Sequence, residues 1–121
     1  MGQNNKRILI TGVSGFVGSR MAKRLLNQGS EVYGFMRQRA DGLIPHNLIN
    51  LGIDDRITLI EGSLENLPSI NKALAASCAD IVYHFGGQSF IPRSFEDPLE
   101  TMSTNCLGTA NLLEAIRMSV C

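Results

Sequence analysis

This chain of 121 residues carries no net charge, no basic run and no paired-cysteine motif, and each absence removes a class of function. Its 11 Lys and Arg balance 11 Asp and Glu and are scattered along the sequence. Binding to nucleic acid or to a membrane surface through bulk charge needs a basic stretch, so neither partner is expected. The three cysteines, Cys78, Cys106 and Cys121, are odd in number and lack CxxC spacing. They read as free thiols of a reducing compartment, two of them buried as small hydrophobes. Cysteines and the two histidines, His46 and His84, show no metal-ligand spacing. The start, "MGQNNKR", lacks the apolar stretch of a signal peptide and the Ser or Thr of a myristoylation signal. No apolar run is long enough to span a bilayer. A soluble, cytoplasmic protein is expected.

What is there is enough apolar residue for a core, 44% of the chain, and the length suits one domain over residues 1–121. Four runs read as strands: "RILIT" (7–11), "EVYGFM" (31–36), "ITLIEG" (57–62) and "DIVYHF" (80–85). Continuous apolar character, rather than alternation, predicts strands buried on both faces of a parallel sheet. Helical patterns lie between them. One places Phe16, Met21, Leu25 and Leu26 on one side and ends at Gly29; another sets Ile70, Leu74 and Cys78 four apart. A third opens at Asp97-Pro98 and carries Leu99, Met102, Cys106, Leu112, Leu113 and Ile116. A short helix after Pro45 is a weaker pattern. The order β-α-β-(α)-β-α-β-α predicts an α/β domain of doubly wound, Rossmann type, with strand order 3-2-1-4.

The stretch "TGVSGFVGS" places Gly12, Gly15 and Gly18 between the first strand and the first helix. Pyrophosphate binding requires that context: a tight turn, close backbone approach, and a helix N-terminus with free N–H groups facing the anion. A plain strand–helix turn would need only one glycine. The segment Gly12, Ser14, Gly15, Phe16, Val17 and Gly18 is therefore expected to hold a dinucleotide.

The GxxGxxG spacing resembles the loop of the short-chain dehydrogenase/reductase superfamily, in its extended branch. "DIVYHFGGQSF" is similar to that branch's fourth strand, and "SFEDPLETMSTNCLGTANLLEAIR" to the helix after it, with Pro98, Asn105, Gly108, Thr109 and Leu112 to Ala115 in pattern. "EVYGFMR" with "GGQSF...SFEDP" resembles the GDP-mannose 4,6-dehydratases and related GDP-deoxyhexulose reductases. The resemblance implies a nicotinamide cofactor along Ser63, Leu64, Phe85, Gly86 and Gly87, and a nucleotide-sugar substrate near Ser89 and Arg93. An exposed loop arginine is an equal reading of Arg93. At the end of the second strand, Met36 stands where an NAD-binding chain carries an acidic residue, and Arg37 and Arg39 follow. A guanidinium suits a 2′-phosphate, so NADP is expected, chiefly on Arg37, with NAD the alternative.

Two departures stand out. Gly62-Ser63-Leu64 replaces the branch's Gly-Asp-Leu, and Gly86-Gly87 replaces two alanines. His84 is expected to be structural rather than catalytic, and Asn105 either orders the site or is a tolerated polar residue. The superfamily's chemistry also needs Tyr and Lys four residues apart. Here the residue four after Tyr33 is Arg37, and four after Tyr83 it is Gly87. The expectation is the N-terminal, cofactor-binding part of a nucleotide-sugar dehydratase, epimerase or reductase, inactive alone. The alternatives are a non-catalytic dinucleotide- or partner-binding module, and a cut piece that keeps the fold. Association with another copy or with a missing C-terminal part would cover the apolar helix surface such a piece exposes.

Overall fold

The computed structural model describes residues 6–37 and 41–120. Strands β1 (Arg7–Thr11), β2 (Glu31–Met36), β3 (Thr58–Glu61) and β4 (Ile81–His84) form one parallel sheet in the order β3-β2-β1-β4. This is the expected order, with β1 and β2 at the expected bounds and β3 and β4 one residue shorter at each end.

Strand alternation divides the core between two faces, because successive side chains point to opposite sides. Ile8 and Ile10 of β1 and Val32 and Met36 of β2 join Val13, Ala22, Leu25, Leu48 and Ile53 on one face, under α1 (Phe16–Asn27) and α2 (His46–Asn50). Leu9, Tyr33 and Phe35 join Leu64, Ile70, Ala73, Leu74, Leu112 and Ala115 on the other. That face is covered by α3 (Leu67–Ser77) and α6 (Gly108–Met118). The result is a three-layer α/β/α arrangement, as expected.

α1 buries Gly18, Ser19, Ala22 and Leu25. Phe16, expected on that inner side, is 68% exposed. At about 100° per residue it lies opposite the stripe of residues 18, 22 and 25, and its ring lies under the Arg20 guanidinium. The helix ends at Gln28, followed by Gly29 in left-handed conformation (φ 89°), the expected stop signal. α3 starts on Asn66, whose side chain accepts from the Ser69 N–H, and buries Ile70 and Leu74 as expected. Cys78, just past its end, is exposed, and Cys106 is free and exposed. The expectation of burial thus fails for both, while Cys121 lies outside the described residues.

The last helical stretch is not continuous. A short helix that the sequence does not mark, α4 (Ile91–Glu96), precedes α5 (Pro98–Met102), then a π-helical turn (Ser103–Leu107) leads into α6. A π turn inserts one residue into the helical count, so spacing read across it loses register. The inward stripe is Thr104, Gly108, Leu112 and Ala115. Leu99, Met102, Cys106, Leu113 and Ile116, expected to line up with Leu112, are instead exposed, Leu99 by 81%. Phe90, Ile91, Phe95, Leu107 and Met118, on and around the same helices, are exposed as well. Among the described residues, β4 pairs only with β1, leaving its other edge open. No described helix is long and apolar enough to cross a membrane.

Candidate cofactor site

The chain winds outward from β1 to β3, then returns to place β4 on the other side of β1. In open parallel sheets, such a reversal opens a crevice at the carboxyl ends of the strands. A cavity of about 510 Å³ lies there, lined by the ends of β1 and β2 and the loops that follow all four strands. Thr11 closes β1 and Gly12 follows it, Phe35 and Met36 close β2 and Arg37 follows, Gly62 and Leu64 lie just after β3, and Gly86 to Ser89 just after β4.

The glycine turn shapes one wall. Gly12 adopts φ +69°, and a Cβ there would stand 2.7 Å from Gly86 N and from the Phe85 carbonyl. A Cβ on Gly18 would lie 2.3 Å from the Gly12 oxygen. Both contacts are to backbone, so these glycines let β1, the β4 end and α1 approach closely. The first helical donor bonded within the chain is Ser19 N–H, to Gly15 O. The N–H groups of Phe16, Val17 and Gly18 have no acceptor among the described residues, and no acidic residue occupies the first turn of α1. Three free donors at the positive end of a 12-residue helix are what a pyrophosphate needs. The loop is braced from α2, where Asn47 Nδ2 donates to Ser14 O at 2.8 Å. Nothing in the sequence marks Asn47.

A hydrogen-bond chain ties the β1 and β4 ends to α6. Gly86 N–H donates to Thr11 Oγ1 at 3.0 Å, and Thr11 Oγ1 lies 2.6 Å from His84 Nδ1. His84 Nε2 is 3.3 Å from Thr109 Oγ1, which donates to Asn105 O at 2.6 Å. With Thr109 donating onward, its oxygen is left to accept, which assigns the His84 proton to Nε2 and makes the Thr11 hydroxyl the donor to Nδ1. Burial lowers the His84 pKa from its ordinary value, and the neutral ring satisfies every partner. His84 is a structural pin, as its sequence position implies.

Asn105, on the π turn, orders the site loop. Its Oδ1 accepts from Gln88 N–H at 2.7 Å and its Nδ2 donates to Gln88 O at 2.8 Å. The Gln88 side chain in turn donates to Thr101 Oγ1 and accepts from Phe90 N–H. Of the two readings of Asn105, the ordering one agrees with these bonds.

Arg37 reaches the cavity rim but is already engaged. Its Nη2 lies 3.0 Å from Glu65 Oε1 and 3.4 Å from Thr104 Oγ1. Hydrogen bonds from Thr104 and Ser103, then the charge of Arg37, hold the Glu65 carboxyl below its ordinary pKa. Ser63 is turned to the neighbouring hollow with Glu61 and Glu65, and its Oγ accepts from Glu65 N–H. Arg93 lies on α4 and pairs with Glu100, a cavity residue. Phe85 is partly exposed beside the glycine turn, with its ring stacked on Tyr83. Neither tyrosine lines the cavity; Tyr33 bonds Arg7 and Glu31 on the sheet. Arg39 lies outside the described residues. Among those described, no group of three or more His, Cys, Asp or Glu gathers as a metal site.

The profile of the GDP-mannose 4,6-dehydratase family matches residues 9–121. The chain is 38% identical to a GDP-mannose 4,6-dehydratase of Vibrio cholerae serotype O1, over 94% of this chain and 32% of that protein. It thus spans about a third of the length of the curated relatives it matches. Among solved structures it resembles UDP-glucose 4-epimerase of Thermus thermophilus in complex with NAD, with TM-score 0.74 and 27% identity over 92% of this chain and 33% of that one. It also resembles a double mutant of a dTDP-glucose 4,6-dehydratase from Streptomyces venezuelae with NAD bound, with TM-score 0.74 and 26% identity, covering 90% and 35%.

Proposed function

The chain belongs to the GDP-mannose 4,6-dehydratase family, and on that premise we propose that it forms the NADP(H)-binding part of a cytoplasmic nucleotide-sugar dehydratase, epimerase or reductase. The observation that carries the proposal is the glycine turn, with three N–H groups at the start of α1 that have no acceptor among the described residues and no carboxylate in its first turn. In this reading Gly12, Ser14, Gly15, Phe16, Val17 and Gly18 enclose the pyrophosphate. Ser63 and Leu64 flank the adenine, and Phe85, Gly86 and Gly87 border the path toward the nicotinamide. Arg37 meets the 2′-phosphate of NADP, which NAD lacks. The nicotinamide, when bound, supplies hydride exchange with the sugar. The chain's own residues bind and orient, and His84 holds the β1 and β4 ends in register.

The nucleotide sugar lies beyond Ser89 in this reading, with Arg93 near its phosphates once freed from Glu100. With no Tyr and Lys four apart in the sequence, proton transfer must come from outside these 121 residues, and the chain alone is inactive. Its apolar helix surface then docks a second copy or a C-terminal part. The missing pair also leaves a second reading, a non-catalytic dinucleotide-binding module that serves a partner.

Calorimetric titration of the chain with NADPH and NADH tests the proposal. NADPH binding more tightly than NADH, with the advantage lost in Arg37→Ala, is the expected result. Equal affinities unaffected by the substitution would refute the assignment of Arg37, and no binding of either by folded chain would refute the cofactor reading.

A further inference from the structure

Glu65 is not a loose surface carboxylate. Its backbone N–H donates to Ser63 Oγ at 3.2 Å, which fixes the turn after β3. Its Oε1 accepts from Thr104 Oγ1 at 2.7 Å and its Oε2 from Ser103 Oγ at 3.1 Å, both on the π turn. Both oxygens are thus held from another element, and the same Oε1 lies 3.0 Å from Arg37 Nη2. The turn after β3, the end of β2 and the π turn meet at this one anion, in the hollow that shares Arg37 with the cavity. Glu61 lines the same neighbouring hollow as Arg37 and Glu65, adding negative charge.

We propose that Glu65 is a specificity-determining residue, which sets the choice between phosphorylated and unphosphorylated dinucleotide by competing for Arg37. This rests on the reading of Arg37 given above. A 2′-phosphate carries close to two negative charges near neutral pH and needs the guanidinium fork free. With Glu65 fixed against that fork, an arriving phosphate must either displace the carboxylate or share Arg37 with it, against like-charge repulsion. A ribose 2′-hydroxyl meets neither cost. Glu65 therefore narrows the advantage that Arg37 gives to NADP, and NAD remains an acceptable ligand. The anchoring hydroxyls of Ser103 and Thr104 keep the competitor in place.

The test is a double-mutant cycle on the 121-residue chain, titrating NADPH and NADH into wild type, Glu65→Gln, Arg37→Ala and the double variant. Glu65→Gln keeps the side-chain shape and an acceptor oxygen. It should tighten NADPH about two- to fivefold, the scale of a partly exposed charge coupling, and leave NADH unchanged within error. In the Arg37→Ala background the gain should shrink to the direct like-charge repulsion alone, less than about twofold, which a merely structural tie would not produce. If Arg37→Ala weakens NADPH but Glu65→Gln leaves the NADPH-to-NADH ratio unchanged, the competition is refuted and the reading of Arg37 stands. If Arg37→Ala leaves NADPH unchanged, both fall together.

Discussion

Gly12→Ala should cost the chain much of its stability, and the size of the loss follows from two separate effects. The residue sits at φ +69°, where an L side chain costs about 1–2 kcal/mol. The added Cβ would also stand 2.7 Å from Gly86 N and from the Phe85 carbonyl carbon and oxygen. These are backbone atoms at the end of a strand and cannot rotate away. Relief requires moving the β4 end off β1, which strains the Gly86–Thr11 hydrogen bond; overpacking of this kind costs about 1–3 kcal/mol. Together the loss is about 2–5 kcal/mol, against a total of about 5–15 kcal/mol for a typical domain. Urea unfolding followed by far-ultraviolet circular dichroism measures it, as a lower midpoint at unchanged slope. Gly15→Ala is the control. Gly15 is extended at φ −79°, and a Cβ there meets only Gly12 O, at 3.4 Å, so its change should stay at or below about 1 kcal/mol, the scale of a poorer N-cap residue. Equal costs for the two variants, or a Gly12→Ala chain as stable as wild type, would refute the packing argument.

Asn105→Ala removes both bonds to the Gln88 backbone; it should cost about 1–2 kcal/mol and speed hydrogen exchange at the Gln88 amide, and unchanged protection there would contradict the ordering role. His84 gives a pH dependence. Its folded pKa lies below the ordinary 6.5, so the unfolded chain takes up the proton first as pH drops. The stability it contributes is full above pH 6.5 and is lost as pH falls through the folded value. Thermal midpoints measured from pH 8 to pH 5 should decline more steeply in wild type than in His84→Gln; parallel curves would count against a neutral buried ring. Thr11→Val removes the acceptor of Gly86 N–H and the partner of His84 Nδ1, and should lower the unfolding midpoint at pH 8 by urea titration; an unchanged midpoint would contradict the pinning role.

What the sequence discloses depends on how local the signal is. β1 and β2 are legible to the residue because each is a continuous apolar run closed by a polar or glycine residue, and the glycine turn because its spacing and its strand–helix context agree. The π turn is not legible: periodicity assumes an uninterrupted helical count, and one inserted residue turns Leu99 and Met102 outward while Thr104 and Gly108 face in. Phe16 misleads for a related reason, since α1 packs on the sheet through small residues and leaves its aromatic outside. α4 is hidden because a proline at its start reads equally as a loop. Asn47 and Glu65 give no signal at all. Each acts through a partner more than thirty residues away, Ser14 and Thr104 respectively, and only the fold brings such pairs together.

The central claim is that a nicotinamide dinucleotide lies with its pyrophosphate on the glycine turn. It is tested most directly by recording amide resonances of the isotope-labelled chain during titration with NADPH. The largest shifts are expected at Gly12 through Ser19, smaller ones at Arg37 and at Gly86 and Gly87, and none along the outer face of α6. Absence of shifts at saturating NADPH, or shifts confined to the apolar surface of α4 and α5, would contradict it.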